Sequence, residues 1–324
     1  MVTVERYRNE DRDAVHALFR ATYGENANAN LARWHWQYER NPNLADGVPL
    51  IWLLRLDGHV IGQYATMPVR LAVNGREIDA AWGMDVVILP EHQRRGYGRV
   101  MFEKWDQNTG AAIGIGLTDA SAGLFKKMEW HDMGRVPRLV KPLAGLRGFA
   151  AKWRPLGSEV REVRQFDDGV TRLWERVSAQ LGFAVRRDAA YLNWKLFEPP
   201  HLKYTIATYV RNGDTHGYVA IRHVEQNGKR VTLLADFFAD PNATDVLPSL
   251  LRWVDRQAIA AQSELVRVFS THAGFADIMR SAGYEDRDHV IRFVAKVNAI
   301  DVPSAYYDTF ASWHVTVGDS DLDR

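Results

Sequence analysis

Met84-Asp85-Val86-Val87-Ile88-Leu89-Pro90-Glu91-His92-Gln93-Arg94-Arg95-Gly96-Tyr97-Gly98-Arg99-Val100-Met101-Phe102 reads as a buried strand, a glycine loop and a helix start in unbroken succession. Val86 to Leu89 is an apolar, largely β-branched run without polar alternation, which suits a strand covered on both faces. Pro90 lacks a backbone donor and stops the ladder. Beyond Gly98, the residues Val100, Met101 and Trp105 recur at helical spacing, so the glycines lie where the amides of a helix N-terminus point outward. Glycine admits backbone angles that a Cβ resists, so successive N–H groups can converge on one anion, and Arg94, Arg95 and Arg99 surround them with positive charge. The helix dipole has the same sign. The stretch is therefore a candidate phosphate cradle, set against the plainer reading of an ordinary strand-to-helix turn.

No Gly-Lys-Ser/Thr follows, so this is no Walker loop, and a dinucleotide fingerprint would need a third glycine. The order Gln93-x-x-Gly96-x-Gly98 after an apolar strand resembles the acyl-CoA pyrophosphate loop of the GCN5-related N-acetyltransferase (GNAT) superfamily. The flanking pattern extends the resemblance. Val2 to Arg6 alternates as a strand, Asn9 or Asp11 caps a helix with Val15, Leu18 and Phe19 on one face, and a second helix runs from Leu31 to Arg40. Strands follow at Leu50 to Leu56 and Val60 to Val73, ended by the hairpin signals Asp57-Gly58 and Asn74-Gly75. After the glycine-loop strand and a helix to about Asn108 come a strand at Ala111 to Leu117, a helix at Ser121 to Met128 and a last strand around Met133 to Val140. The order βααβββαβαβ is that of a GNAT domain.

The second half repeats the first. Trp36-Gln-Tyr-Glu-Arg-Asn-Pro42 aligns with Trp194-Lys-Leu-Phe-Glu-Pro-Pro200, Asp57-Gly58 with Asn212-Gly213, Asp85-Val-Val-Ile-Leu-Pro90 with Asp236-Phe-Phe-Ala-Asp-Pro241, and Met128-Glu129-Trp130 with Ala282-Gly283-Tyr284. Matches in one order at nearly one offset argue for a duplication. The chain thus resembles a tandem GNAT, which implies an α/β fold class with mixed sheets: two tandem GNAT-like domains, each a mixed, mostly antiparallel sheet flanked by helices. The boundaries read as 1–145 for the first domain, 146–158 for a linker, 159–300 for a degenerate second domain and 301–324 for a C-terminal tail. Where the first copy has its glycine loop, the second has Asn242-Ala243-Thr244-Asp245-Val246-Leu247-Pro248, without glycine or arginine and with a carboxylate that repels phosphate. One acyl-CoA site per chain is expected, in the first half.

Bulk properties narrow the function further. At 324 residues the chain suits two domains, and a formal net charge of +1 gives nucleic acid or a membrane surface no global attraction. The absence of cysteine removes disulfides, thiolate nucleophiles and cysteine metal sites. The start Met-Val-Thr-Val-Glu-Arg-Tyr-Arg is too polar for a signal peptide and no apolar run is long enough to span a bilayer, so the reading is cytoplasmic. Eleven tryptophans hint at an aromatic-lined cavity. His16, His35, His59 and His92 show no metal-ligand spacing, and His314 with Asp319, Asp321 and Asp323 reads as a solvated, frayed terminus in preference to a cation site.

The resemblance implies that the pantetheine arm lies between two splayed parallel strands and that an amine attacks the thioester directly. Val86, Val87 and Ile88 would pair with pantetheine opposite Ile113 to Leu117, and Gln93, Arg94, Arg95, Gly96, Tyr97, Gly98 and Arg99 would hold the pyrophosphate. Trp82 stands where several members carry a glutamate base, and the nearest carboxylate is Asp85, a candidate base, although its repeat partner Asp236, in a copy with no cofactor loop, is more simply explained by a structural role. Phe125, grouped with the cofactor-binding set, falls at the usual tyrosine acid and cannot donate a proton, which leaves the hydroxyls of Thr118 and Ser121, or water. Trp34, Tyr38, Tyr64 and Trp82 belong to segments that border the acceptor cleft in the family, while Trp36 reads as core.

The leading expectation is an acyltransferase using acetyl-CoA or another acyl-CoA as co-substrate, with a small-molecule amine as partner and no metal, nucleic acid or membrane. A homodimer through a long strand such as Val60 to Val73 is left open. The alternatives are a Fem-type aminoacyl transferase on the same scaffold, which would need a tRNA footprint, and a non-catalytic acyl-CoA-binding or interaction protein.

Overall fold

A computed structural model of the chain describes residues 1–145, 157–307 and 309–322. The first half runs β1 (Val2–Arg6), α1 (Arg12–Tyr23), α2 (Ala27–Trp34), β2 (Ile51–Leu56), β3 (His59–Val73), β4 (Arg76–Ile88), α3 (Tyr97–Asp106), β5 (Ala111–Ile115), α4 (Asp119–Lys127), β6 (His131–Arg135) and β7 (Arg138–Pro142). The second runs β8 (Val160–Val163), α5 (Asp168–Val177), β9 (Phe183–Val185), α6 (Ala189–Phe197), β10 (Thr205–Arg211), β11 (Asp214–Gln226), β12 (Lys229–Ala239), α7 (Val246–Ala260), β13 (Leu265–Phe269), α8 (Ala273–Ser281), β14 (Glu285–Arg287), β15 (Arg292–Val297) and β16 (Trp313–His314). Apart from β9 and β16 the two halves share one element order. Both hairpins form where expected, with left-handed φ at Asp57 and Gly58 and again at Asn74 and Gly75.

The sheets are mixed and mostly antiparallel, and they are not divided at residue 145. The first is ordered β1-β2-β3-β4-β5-β15-β6, with β9 on β3 and β16 on β9; the second is ordered β14-β7-β13-β12-β11-β10-β8. The two halves thus exchange strands: β15 lies between β5 and β6, and β7 lies between β13 and β14. The single strand expected around Met133 to Val140 is therefore two strands in two sheets. The expected linker lies outside the described residues except for Gly157 and Ser158.

Two tryptophans from the aligned repeat meet at the centre. Trp36 and Trp194 stack with ring centroids 5.1 Å apart. The indole N–H of Trp36 donates to the Trp194 carbonyl at 3.0 Å, and that of Trp194 donates to the Trp36 carbonyl at 2.9 Å. Such reciprocity is that of a local two-fold relation between the two aligned segments, and Trp36 is buried in the core.

Both faces of the first sheet are covered, and the period-two alternation of β2 shows how. Ile51 and Leu53 join Val15, Phe19, Trp34 and Tyr38 under α1 and α2. Trp52 and Leu54 join Tyr64, Met101, Trp105 and Phe125 under α3 and α4.

The C-terminal segment corrects the expectation of a frayed tail. Trp313, His314 and Asp319 are buried, and Asp319 binds Arg187 at 2.8 Å. His314 Nε2 donates to the Phe237 carbonyl at 3.0 Å. Burial, and after it the nearby Arg187 and His272, push the His314 pKa well below its ordinary 6.5, and burial also lowers His16, His223 and His272. A histidine kept neutral in the fold takes up its proton only on unfolding. The stability it contributes is complete above pH 6.5 and is lost as pH falls below that value. Urea unfolding is expected to show stability falling below about pH 6.5, with a contribution of about 1.4 kcal/mol per pH unit from His314 that is removed in His314→Gln.

Candidate active site

The parallel contact between β4 and β5 is limited to Ala81 with Ala112 and Trp82 with Ile113. Beyond it β4 continues to Ile88 on β3 alone, through an irregularity between Tyr64 and Thr66 that twists it away from β5. Gly116, at a φ of 78°, ends β5 two residues before the expected Leu117. The backbone edge of β4 past Trp82 is therefore open toward β5 among the described residues. A cavity of about 210 Å³ fills the gap, lined by Tyr64, Gly83, Val86, Gly114, Thr118 and Phe125 among others.

The glycine loop stands at the end of this open strand. Gln93 donates to the Ile88 carbonyl at 2.9 Å and Arg95 to the Glu91 carbonyl at 3.0 Å, which ties the loop to the strand end. Arg94 and Gly96 both hold left-handed backbones, with φ of 61° and 79°. Gly96 is the residue preceding α3, and the Arg99 amide donates back to the Gly96 carbonyl at 3.2 Å, so the amides of Tyr97 and Gly98 lie at the helix N-terminus. Gln93, Arg94, Arg95, Gly96 and Arg99 are exposed, and Arg99 also pairs with Glu103 at 2.7 Å.

Around the cavity the residues sort by the alternation of β4. Val86 lines it and is 43% exposed, whereas Val87 is buried behind the sheet. Thr118 caps α4, accepting from the Ser121 amide at 3.2 Å, with the two hydroxyl oxygens 3.0 Å apart, and both residues line the cavity. Phe125 lines it too, packed on Phe102 and Trp130.

Of the four aromatic residues expected to border an acceptor, Tyr64 alone lines this cavity. Trp34 and Tyr38 are completely buried in the core between α1, α2 and the first sheet, and Trp82 is completely buried elsewhere in the core, against Phe293 of β15. Burial raises the Tyr64 pKa well above 10, so its hydroxyl stays protonated.

Asp85 points to the opposite face of β4. Its Oδ2 accepts from Arg33 at 2.7 Å and from the Tyr38 hydroxyl at 2.6 Å. Tyr38 reaches it because α2 is followed by a π-helical turn over His35–Glu39, which resets the side-chain directions. Gln37 bridges the two, accepting from Arg33 at 3.1 Å and donating to Tyr38 at 3.1 Å, and Asp321 lies 3.8 Å from Arg33. Burial opposes the charge on Arg33, but Asp85, Tyr38 and Asp321 outweigh it and hold the guanidinium protonated.

Asp236 is held in the same manner. It accepts from Arg187 at 3.1 Å, from the Tyr218 hydroxyl at 2.7 Å and from the Thr316 hydroxyl at 2.9 Å. The aligned aspartates thus each carry an arginine and a tyrosine, and Arg33 and Arg187 are the partners that sequence reading missed. The stretch of β12 that matches the open stretch of β4 is covered by the chain itself: Gly318 lies against the Ala235 carbonyl, where an added Cβ would come within 2.9 Å. Asp245 is paired with Arg211, and Val246, at the start of α7, is buried against Gly217. Among the described residues no group of three or more His, Cys, Asp or Glu gathers to hold a metal, and no helix is long and apolar enough to cross a membrane.

The sequence model of the Acetyltransferase (GNAT) domain matches residues 3–117. No curated protein matches the sequence. Among solved structures, the chain resembles a GCN5-related N-acetyltransferase from Anabaena variabilis with a TM-score of 0.65 and 12% identity, over 92% of this chain and 73% of that one. A probable N-acyltransferase of Enterococcus faecalis gives a TM-score of 0.63 at 12% identity, with the same coverage. Saccharomyces cerevisiae N-myristoyltransferase with bound myristoyl-CoA gives 0.56 at 10% identity, over 91% of this chain and 79% of that one.

Proposed function

We propose, from the match of residues 3–117 to the Acetyltransferase (GNAT) domain, that the chain transfers an acyl group, most simply acetyl, from acyl-CoA to the amine of a small molecule. The observation that carries this reading is the separation of β4 from β5 after Trp82 and Ile113, with a cavity in the gap and the amide-rich loop at its end. The residues present fit the donor. The open edge of β4 around Val86 and Ile88 suits the pantetheine amides, and the amides from Arg94 to Gly98, with Arg94, Arg95 and Arg99 beside them, suit the pyrophosphate. The bound donor would supply the acyl group activated as a thioester.

Aligning the donor with an amine in a walled cleft supplies much of such a rate, so no covalent nucleophile is needed. Thr118 and Ser121 present hydroxyls to the cleft and are the proposed proton donors. Asp85, engaged by Arg33 and Tyr38 on the other face, is assigned to holding β4 in place instead of abstracting a proton. One donor site per chain is supported by the covered β12 and by the buried start of α7.

Calorimetry with acetyl-CoA tests the reading. The wild type is expected to bind, and a Gly96→Ala, Gly98→Ala variant about tenfold more weakly, since a Cβ at the left-handed Gly96 costs about 1–2 kcal/mol. A wild type that binds no acyl-CoA would overturn the proposal.

A further inference from the structure

A second cavity, of about 340 Å³, lies over one face of the second sheet and is lined in part by Arg138, Leu233, Arg267, Ile291 and Leu322. The register places the arginines on the same face: Arg138 lies opposite Phe269, two residues from Arg267, and Arg267 lies opposite Leu233. Arg222, opposite Leu233 on its other side, adds a third cation to this face and rests over the Tyr204 ring at 5.9 Å. Arg138 and Arg267 make no ion pair among the described residues, and the Nε of each is buried without a hydrogen-bond partner. Glu225, also in the wall, is engaged by Arg230 at 2.7 Å.

Two half-buried guanidiniums facing one cavity repel each other, and their unmet donors cost free energy that folding does not recover. Burial, and after it Arg138, lowers the Arg267 pKa accordingly. A carboxylate or phosphate in the cavity would answer the repulsion, because a guanidinium presents paired N–H groups to either.

The cavity adjoins the cleft between β4 and β5. Leu322 lines it, and the Leu322 side chain comes within 2.7 Å of where a Cβ on Gly116 would stand. Gly116 lines the cleft, and its amide donates at 2.8 Å to the carbonyl of Arg292, the residue after Ile291. We propose that the acceptor is an acidic amine, whose carboxylate or phosphate is held by Arg138 and Arg267 while its amine reaches past Leu322 into the cleft. This rests on the acyl-transfer reading and narrows its substrate class.

The test begins with binding, measured by calorimetry with glutarate and with inorganic phosphate on the wild type and on an Arg138→Gln, Arg267→Gln variant. One of the two anions is expected to bind the wild type, naming the acid group, and to bind the variant at least about tenfold more weakly. Acetyl-CoA affinity stays as in the wild type. Because the variant removes unpaired like charges, it is expected to unfold at no lower urea concentration, which separates lost recognition from lost folding. Release of coenzyme A is then followed with 6-aminohexanoate against its amide and 6-aminohexyl phosphate against 6-aminohexanol, chains long enough to span the two cavities. The acidic member of one pair is expected to have the higher kcat/KM, and the variant to lose that preference through KM. No anion binding by the wild type, or equal binding by the variant, would overturn the proposal. Arginine-dependent anion binding in a chain that binds no acetyl-CoA would instead overturn the acyl-transfer reading, and the acceptor assignment with it.

Discussion

Arg187→Leu is expected to lower stability by about 3–5 kcal/mol, because it strips the counter-charge from buried carboxylates. Arg187 is completely buried and binds Asp236 at 3.1 Å and Asp319 at 2.8 Å. Burial opposes its charge, yet Asp236, Asp319 and Tyr218 together keep it protonated. Burial also raises the Asp319 pKa, Arg187 opposes that rise, and Asp236 adds to it. With leucine in place, the Thr316 amide and hydroxyl would be left facing Asp319, whose carboxyl, raised by burial and no longer opposed by Arg187, would hold its proton to higher pH than in the unfolded chain. A group whose folded pKa is raised contributes stability at low pH and loses it as pH rises through the folded value, so the deficit relative to wild type is expected to be larger at pH 7 than at about pH 5. Urea unfolding at both pH values measures this. Adding Asp319→Asn to Arg187→Leu is expected to restore part of the loss. A deficit below about 1 kcal/mol at pH 7 would mean that the cluster is not what ties the C-terminal segment to β12.

That cluster also shows where the sequence stops being legible. The alignment of Asp85 with Asp236 pointed to a structural role, and each proves to be bound by an arginine and a tyrosine. The arginines were invisible because Arg33 and Arg187 lie far from their aspartates in the chain, and no local periodicity records such a pairing. Hairpins and helix starts were legible since Asp57-Gly58, Asn74-Gly75 and Gly96 are choices imposed by local backbone angles. The strand exchange was not, because β7 and β15 are short segments whose pattern fits either sheet. Aromatic richness suggested a lined cavity, but Trp34, Tyr38 and Trp82 serve the core, where large rings fill space between sheet and helices. The acidic C-terminus looked solvated because charge is visible in a sequence and its buried counter-charge is not. Asp323 lies outside the described residues.

Val86→Trp is expected to weaken acetyl-CoA binding about a hundredfold, equivalent to about 2.7 kcal/mol, while leaving the fold intact. Val86 is 43% exposed and its side chain lines the cavity between β4 and β5. The edge of β4 at this point has no strand beside it among the described residues, so an indole added there displaces no core side chain. The cavity holds about 210 Å³, and an indole would occupy a large part of it, closing the path proposed for the pantetheine arm. The nucleotide end of coenzyme A, 3′-phospho-ADP, carries the pyrophosphate without pantetheine and separates the two halves of the proposed donor site. Val86→Trp is expected to keep wild-type affinity for this fragment, whereas Gly96→Ala, Gly98→Ala should lose affinity for fragment and whole donor alike. If Val86→Trp bound acetyl-CoA as the wild type does, the arm would have to lie elsewhere, and the open edge of β4 would lose its assigned role. If it lost the fragment as well, the indole would be acting on the loop, and the division of labour between strand edge and helix N-terminus would fall.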